Sequence, residues 1–250
     1  VAVPCRSLPL AGGIAALADG WLVASDPDGD RVLLLELASE TLREVRFPTG
    51  WAPGAVATDR GRALVALGTG GAAVLQISPL AVLGIPAVCG EPRGVDAVGD
   101  RGFVACATGE LVELDLRTAR VTASDPIASD LHDVVLDADG TAVLTLFRSA
   151  EILRVQAGAL VGRFSLPTIA PPDPEPPALI ARVARRLVRV GDGRLAVLHQ
   201  AAVVDPVVIL PDAPSYGSGA CDAVARPLLT WIDADGPTAT VRLDAIGPVE

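Results

Sequence analysis

The chain has 250 residues, half of them hydrophobic and a fifth charged, with a formal net charge of −10. That composition supports one large core or two small ones and excludes a disordered chain. The acidic balance, with no basic stripe among aromatics, argues against nucleic acid and anionic lipid surfaces as partners.

No apolar run reaches about 18 residues, so no membrane insertion is expected. Met, Lys and Asn are absent, and all 20 basic residues are Arg. The lack of Met reads as a mature product or a piece of a longer polypeptide, and the lack of Lys removes any Schiff-base chemistry. Cys5, Cys89, Cys106 and Cys221 have neither CxxC nor zinc spacing, and an even count allows two disulfides in three pairings.

Taken in chain order, residues 1–12, VAVPCRSLPLAG, read as an outer strand and the link that follows it. GIAALADGWLVAS (13–25) is two short apolar runs around a polar turn ending in Gly20. The same unit returns at 54–67, 94–107, 133–146 and 186–199, with turn glycines expected at Gly61, Gly102, Gly140 and Gly193. The spacings of these glycines are 41, 41, 38 and 53. A second hairpin follows each first one, at 31–47, 72–85, 110–123, 151–166 and 228–243. Each unit is therefore four antiparallel strands, labelled A to D, with Gly supplying the positive φ of the A–B turn. Four strands in about 40 residues is the blade of a β-propeller.

The expected fold is thus all-β: one β-propeller domain over 1–250 with five whole blades, at about 13–50, 51–91, 92–130, 131–170 and 178–246. The stray strand at 1–12 makes the chain compatible with part of a six- or seven-bladed ring. The B–C connection of the first blade, SDPDGDR, places Asp26, Asp28 and Asp30 at alternate positions. A calcium loop counted from Asp26 needs Gly at its sixth and Glu at its twelfth position, where Arg31 and Leu37 stand, so the stretch reads as a turn.

LVASDPDGDRVLLLEL followed by TGWAPGAVATDRGRALVAL resembles the YVTN-type β-propeller repeat of bacterial secreted and surface proteins. Pro53-Gly54 and Pro92-Arg93-Gly94 match its "P-x-G" region, and Asp19-Gly20, Asp139-Gly140 and Asp192-Gly193 its aspartate-glycine turn. The resemblance covers almost the whole chain. It departs at Leu131-His132-Asp133, where the proline pattern is lost, and in the interrupted fifth blade. It implies a periplasmic, extracellular or cell-surface location.

Two insertions break the rhythm, at 171–177 (PPDPEPP) and about 201–225, the latter inside the B–C connection of blade five. Between them, ALIARVARR and the three residues after it carry Arg182, Arg185, Arg186 and Arg189 at helical spacing. Long loops on a regular scaffold are where function concentrates, and both insertions open on the end formed by the D–A and B–C connections. The candidate ligand-binding residues at that end are His132, Asp133, Arg148, His199, Gln200, Trp51, Arg93 and Tyr216, with Glu110 nearby. His132 and His199 beside Arg148 suit a small anionic ligand. Cys89 and Cys106 fall at the same end and are the candidate disulfide.

No catalytic residue, metal or cofactor is expected. Gly68–Gly71 has no helix after it, and Gly217-Ser218-Gly219 lacks the first glycine of a nucleophile elbow. A propeller hydrolase would want acidic and Asn ligands around a metal, and there is no Asn. The expected function is a non-enzymatic binding or scaffold module for a protein or small anionic ligand. The alternative is the propeller part of a larger enzyme or electron-transfer protein.

Overall fold

The computed structural model describes residues 15–137, 139–168, 179–191, 194–203 and 225–243. All regular structure among them is β-strand, in five four-stranded antiparallel sheets. Sheet one is β1 (Ala15–Ala18), β2 (Trp21–Asp26), β3 (Arg31–Glu36) and β4 (Thr41–Arg46). Sheet two is β5 (Pro53–Asp59), β6 (Arg62–Leu67), β7 (Ala72–Gln76) and β8 (Ala81–Gly84). Sheet three is β9 (Pro92–Val98), β10 (Arg101–Cys106), β11 (Glu110–Asp115) and β12 (Arg120–Pro126). Sheet four is β13 (Leu131–Leu136), β14 (Ala142–Leu146), β15 (Glu151–Gln156) and β16 (Ala159–Ser165). Sheet five is β17 (Leu179–Arg189), β18 (Leu195–Val203), β19 (Ala225–Asp233) and β20 (Gly236–Arg242). No helix among the described residues is long and apolar enough to cross a membrane. The chain divides into two compact units between Leu136 and Asp137.

Two A–B turns have the expected chemistry. Ala18 pairs with Trp21 and Asp59 with Arg62, leaving Asp19-Gly20 (φ 50° and 81°) and Arg60-Gly61 (φ 46° and 72°) as two-residue turns. Positive φ at both positions matches the twist of the flanking strands. Gly140 also has positive φ, in a wider turn closed by its N–H donating to the Asp137 carbonyl. Gly193 lies outside the described residues.

Gly102 departs from expectation. The third turn is Gly99-Asp100, and Gly102 sits inside β10 opposite Ala97 and Leu114. A Cβ there would meet Leu116 Cδ2 at 2.6 Å and Leu64 Cδ2 at 2.8 Å. This glycine is a packing residue that makes room for two leucines, and Gly99 (φ 64°) supplies the turn.

The first unit shows why some strands read as unbroken apolar runs. Val56, Ala63, Val65, Leu67, Ala73 and Leu75 of sheet two pack with Trp21, Val23, Val32 and Leu34 of sheet one. The alternate residues Ala55, Ala57, Leu64, Ala66, Ala72 and Val74 pack with Val95, Val104, Val112 and Leu114 of sheet three. A sheet buried on both faces needs apolar side chains at successive positions, which erases the period of two. The innermost strands are also tied across sheets. The Asp59 carboxylate accepts from Gly99 N–H, and Asp96 Oδ2 accepts from Leu136 N–H at 2.7 Å.

In the second unit, Ala184 N–H donates to the Phe147 carbonyl at 3.1 Å, joining sheet five to the end of β14. The arginine segment after the proline run is strand β17, not a helix. Register shifts fall at Arg182 and Arg185, which are the extra residues of two bulges. Each bulge advances the alternation by one, so Leu179, Ala184 and Leu187 are all buried at an irregular spacing that imitates a helical one.

Candidate functional site

The D–A and B–C connections are built by one repeated device. A residue one or two positions before strand C is left-handed in four sheets: Asp30 (φ 49°), Gly70 (92°), Gly109 (121°) and Ala150 (52°). Its carbonyl accepts the N–H of the residue leaving the D strand or of the link: Phe47, Val88, Ile127 and Leu166 respectively. These positions recur at spacings of 40, 39 and 41. A second device closes the other end, where Leu37, Ile77 and Leu116 donate to the carbonyls of Gly20, Gly61 and Asp100.

The aspartates of SDPDGDR serve this scaffold. Asp26 Oδ1 accepts from Gly29 N–H at 3.0 Å and Oδ2 from Arg31 Nε at 2.8 Å. Asp30 accepts from Ala52 N–H at 2.8 Å and Gly50 N–H at 2.9 Å. The Arg31 contact holds the Asp26 carboxyl below its ordinary range, and the Ala52 and Gly50 amides do the same for Asp30. Both carboxylates are spent on a turn and a link. Among the described residues no group of three His, Cys, Asp or Glu could hold a metal ion.

Sheet three has a shallow hollow at this end, of about 240 Å³, between its B–C turn and D–A link. Thr108, Gly109 and Glu110 form one wall, and Pro126, Ile127, Ala128 and Ser129 the other. Thr108 Oγ1 donates to Glu110 Oε2 at 2.5 Å, orienting the carboxylate on the rim. Cys89, in the link before β9, is bonded to Cys106 at the end of β10, with Sγ–Sγ 2.00 Å and Cα–Cα 6.3 Å. The bridge ties the preceding link to the strand that leads into the hollow.

The other candidates occupy varied settings. Trp51 is half-buried and stacks on Phe47, with ring centroids 6.1 Å apart. Arg93 is exposed and pairs with Glu91 at 3.1 Å. His132 and Asp133 lie at the start of β13. Asp133 is buried, and its Oδ1 accepts from Val134 N–H at 3.1 Å. Arg148 is exposed on the turn after β14, and Tyr216 lies outside the described residues.

His199 corrects its expected placement. Sheet five has long strands, and β18 continues to Val203, so His199 stands in mid-strand rather than at the loop end. It is 1 % exposed; Nε2 lies 2.7 Å from Thr230 Oγ1, which lies 2.8 Å from Thr240 Oγ1. Nδ1 has no partner. Burial pushes its pKa down to about 4, with the Gln200 backbone pulling weakly the other way. Gln200, the next residue along the strand, is exposed on the opposite face and does not converge with it.

Sequence reasoning missed the left-handed residue of the B–C turn. The signal was present: Asp, Gly, Gly and Ala at a fixed period, each one or two residues before an apolar strand.

No protein-family profile matches the chain, and no curated protein matches it. Among solved structures it is similar to hydrazine synthase of Kuenenia stuttgartiensis. That match has 18% identity and a TM-score of 0.71 over 97% of this chain and 69% of that one. It is also similar to virginiamycin B lyase of Staphylococcus aureus (9% identity, TM-score 0.58, 91% of this chain and 82% of that one). BamB of Moraxella catarrhalis gives 12% identity and a TM-score of 0.52 over 74% of this chain and 53% of that one. At these identities the likeness is one of fold. Five four-stranded antiparallel sheets with these neighbours define a β-propeller-like, all-β protein.

Proposed function

We propose that this chain is a non-enzymatic binding module of a bacterial envelope or secreted protein, built on YVTN-type repeats. It takes a protein partner through the D–A/B–C ends. The observation that carries this reading is the hollow of sheet three. Its volume of about 240 Å³ is below the range of a typical metabolite pocket and suits one side chain of a partner. Its rim offers a carboxylate and the Ser129 hydroxyl, and its wall offers Ile127 and Ala128. The Cys89–Cys106 bridge supports an oxidising compartment, where such bonds persist.

A second reading makes the chain the propeller portion of a larger enzyme. It draws only on the fold likeness to hydrazine synthase and virginiamycin B lyase, and in it these residues would scaffold a reaction carried elsewhere.

Ala128→Trp fills the hollow and Glu110→Lys reverses its charge. Each is expected to abolish capture of the partner from an envelope or secreted fraction. Glu40→Lys, on the C–D turn at the other end of sheet one, should leave capture intact. Capture that survives both hollow variants, or that is lost equally with Glu40→Lys, would contradict the assignment.

A further inference from the structure

The amides around the hollow of sheet three are already committed. Gly109 N–H donates to the Cys106 carbonyl at 2.9 Å, and Ile127 and Ala128 N–H donate to the Gly109 carbonyl at 2.9 and 3.2 Å. Pro126 has no N–H to give. An anion is held by amides or cations turned toward it, and these four residues offer neither. Among the described residues no cation lines the hollow. Arg93, the arginine at this end of sheet three, pairs with Glu91 at 3.1 Å.

The charged group in the lining is the Glu110 carboxylate. Thr108 Oγ1 donates to its Oε2 at 2.5 Å, and Oε1 has no hydrogen-bond or ion-pair partner among the described residues. Glu110 and Pro126 are cross-strand partners, so both stand on one face of the sheet at the edge of the hollow. Asp125 pairs with Leu111 and stands on the other face. An oriented carboxylate with one oxygen open, beside the apolar surfaces of Pro126, Ile127 and Ala128, matches a side chain with an apolar stem and a cationic tip.

We infer that the hollow receives an arginine or lysine side chain of a partner protein, its stem along Ile127 and Ala128 and its cation on Glu110. This rests on the reading of the hollow as the seat of one partner side chain and adds the chemistry of that side chain. Every residue involved belongs to the first unit.

Two tripeptides test the charge at constant shape: acetyl-Gly-Arg-Gly-amide and its citrulline counterpart, in which a neutral urea replaces the guanidinium. Each is titrated into the isotope-labelled 250-residue chain and followed by NMR at the amides of Gly109, Ala128 and Ser129. The arginine peptide is expected to shift them and to bind about tenfold more tightly than the citrulline peptide. Glu110→Gln should remove that preference. Asp125→Asn, the same change of charge on the other face, should keep it. Ala128→Trp should abolish the response to both peptides. Equal binding of the two peptides, a preference that survives Glu110→Gln, or one lost equally with Asp125→Asn would overturn the cation. In those cases a response still abolished by Ala128→Trp would leave the hollow as a side-chain seat. No response of these amides to either peptide would overturn that seat as well.

Discussion

Acidification from about pH 7 to about pH 4 is expected to remove about 3 kcal/mol of folding stability through His199. The ring is enclosed in sheet five, and burial lowers its pKa from 6.5 to about 4. The folded state therefore holds it neutral while the unfolded chain binds a proton below 6.5. For a depressed histidine the contribution is complete above 6.5 and is lost as pH falls toward 4, where it levels off. The depressed carboxylates Asp26, Asp30 and Glu151 act in a lower window, below their unfolded values of 3.8 to 4.5. His199→Gln keeps a polar group beside Thr230 but does not titrate. Urea unfolding at several pH values should show the loss in the parent and a flat response in the variant over that window. Equal slopes in both would remove His199 as the cause.

Gly94→Ala should cost about 3 kcal/mol, and Gly54→Ala should be neutral or stabilising by about 0.5 kcal/mol. Both glycines belong to the "P-x-G" segment at the start of an inner strand. A Cβ on Gly94 would stand 2.5 Å from Asp133 Cα, 2.6 Å from Asp133 Oδ1 and 2.7 Å from the His132 carbonyl oxygen. Two of those three atoms are backbone, so β9 and β13 must separate. A Cβ on Gly54 would meet only the Ala66 carbonyl oxygen, at 3.8 Å. Thermal unfolding of the two variants side by side checks the contrast. Similar shifts would mean that β9 and β13 are not in close contact.

The repeat was legible because a two-residue turn demands positive φ, and Gly20 and Gly61 mark it in the sequence. Gly102 misled for a related reason: a glycine near a turn can be required by packing instead, and only the neighbouring leucines reveal which. The helical spacing of Arg182, Arg185, Arg186 and Arg189 came from two bulges, which single-residue patterns cannot register. His199 was misplaced because strand length in sheet five is set by pairing, and β18 runs four residues past the histidine. The site was less legible than the fold. Its hollow is formed by a turn and a link about 18 residues apart, meeting through a backbone hydrogen bond that carries no side-chain signature. Asp26 and Asp30 were legible as turn residues, because the glycine and glutamate of a calcium loop are missing, and their acceptors are filled by nearby amides and Arg31.

Amide hydrogen exchange at Phe47, Val88, Ile127 and Leu166 tests the repeated architecture most directly. All four lie outside the strands, yet each donates to the left-handed residue of its own sheet's B–C turn. The expected result is slow exchange at all four, comparable to the central strands β6, β10 and β14, and recurring with the period of about 40 residues. Exchange at the rate of an unstructured peptide at these four amides would contradict the account.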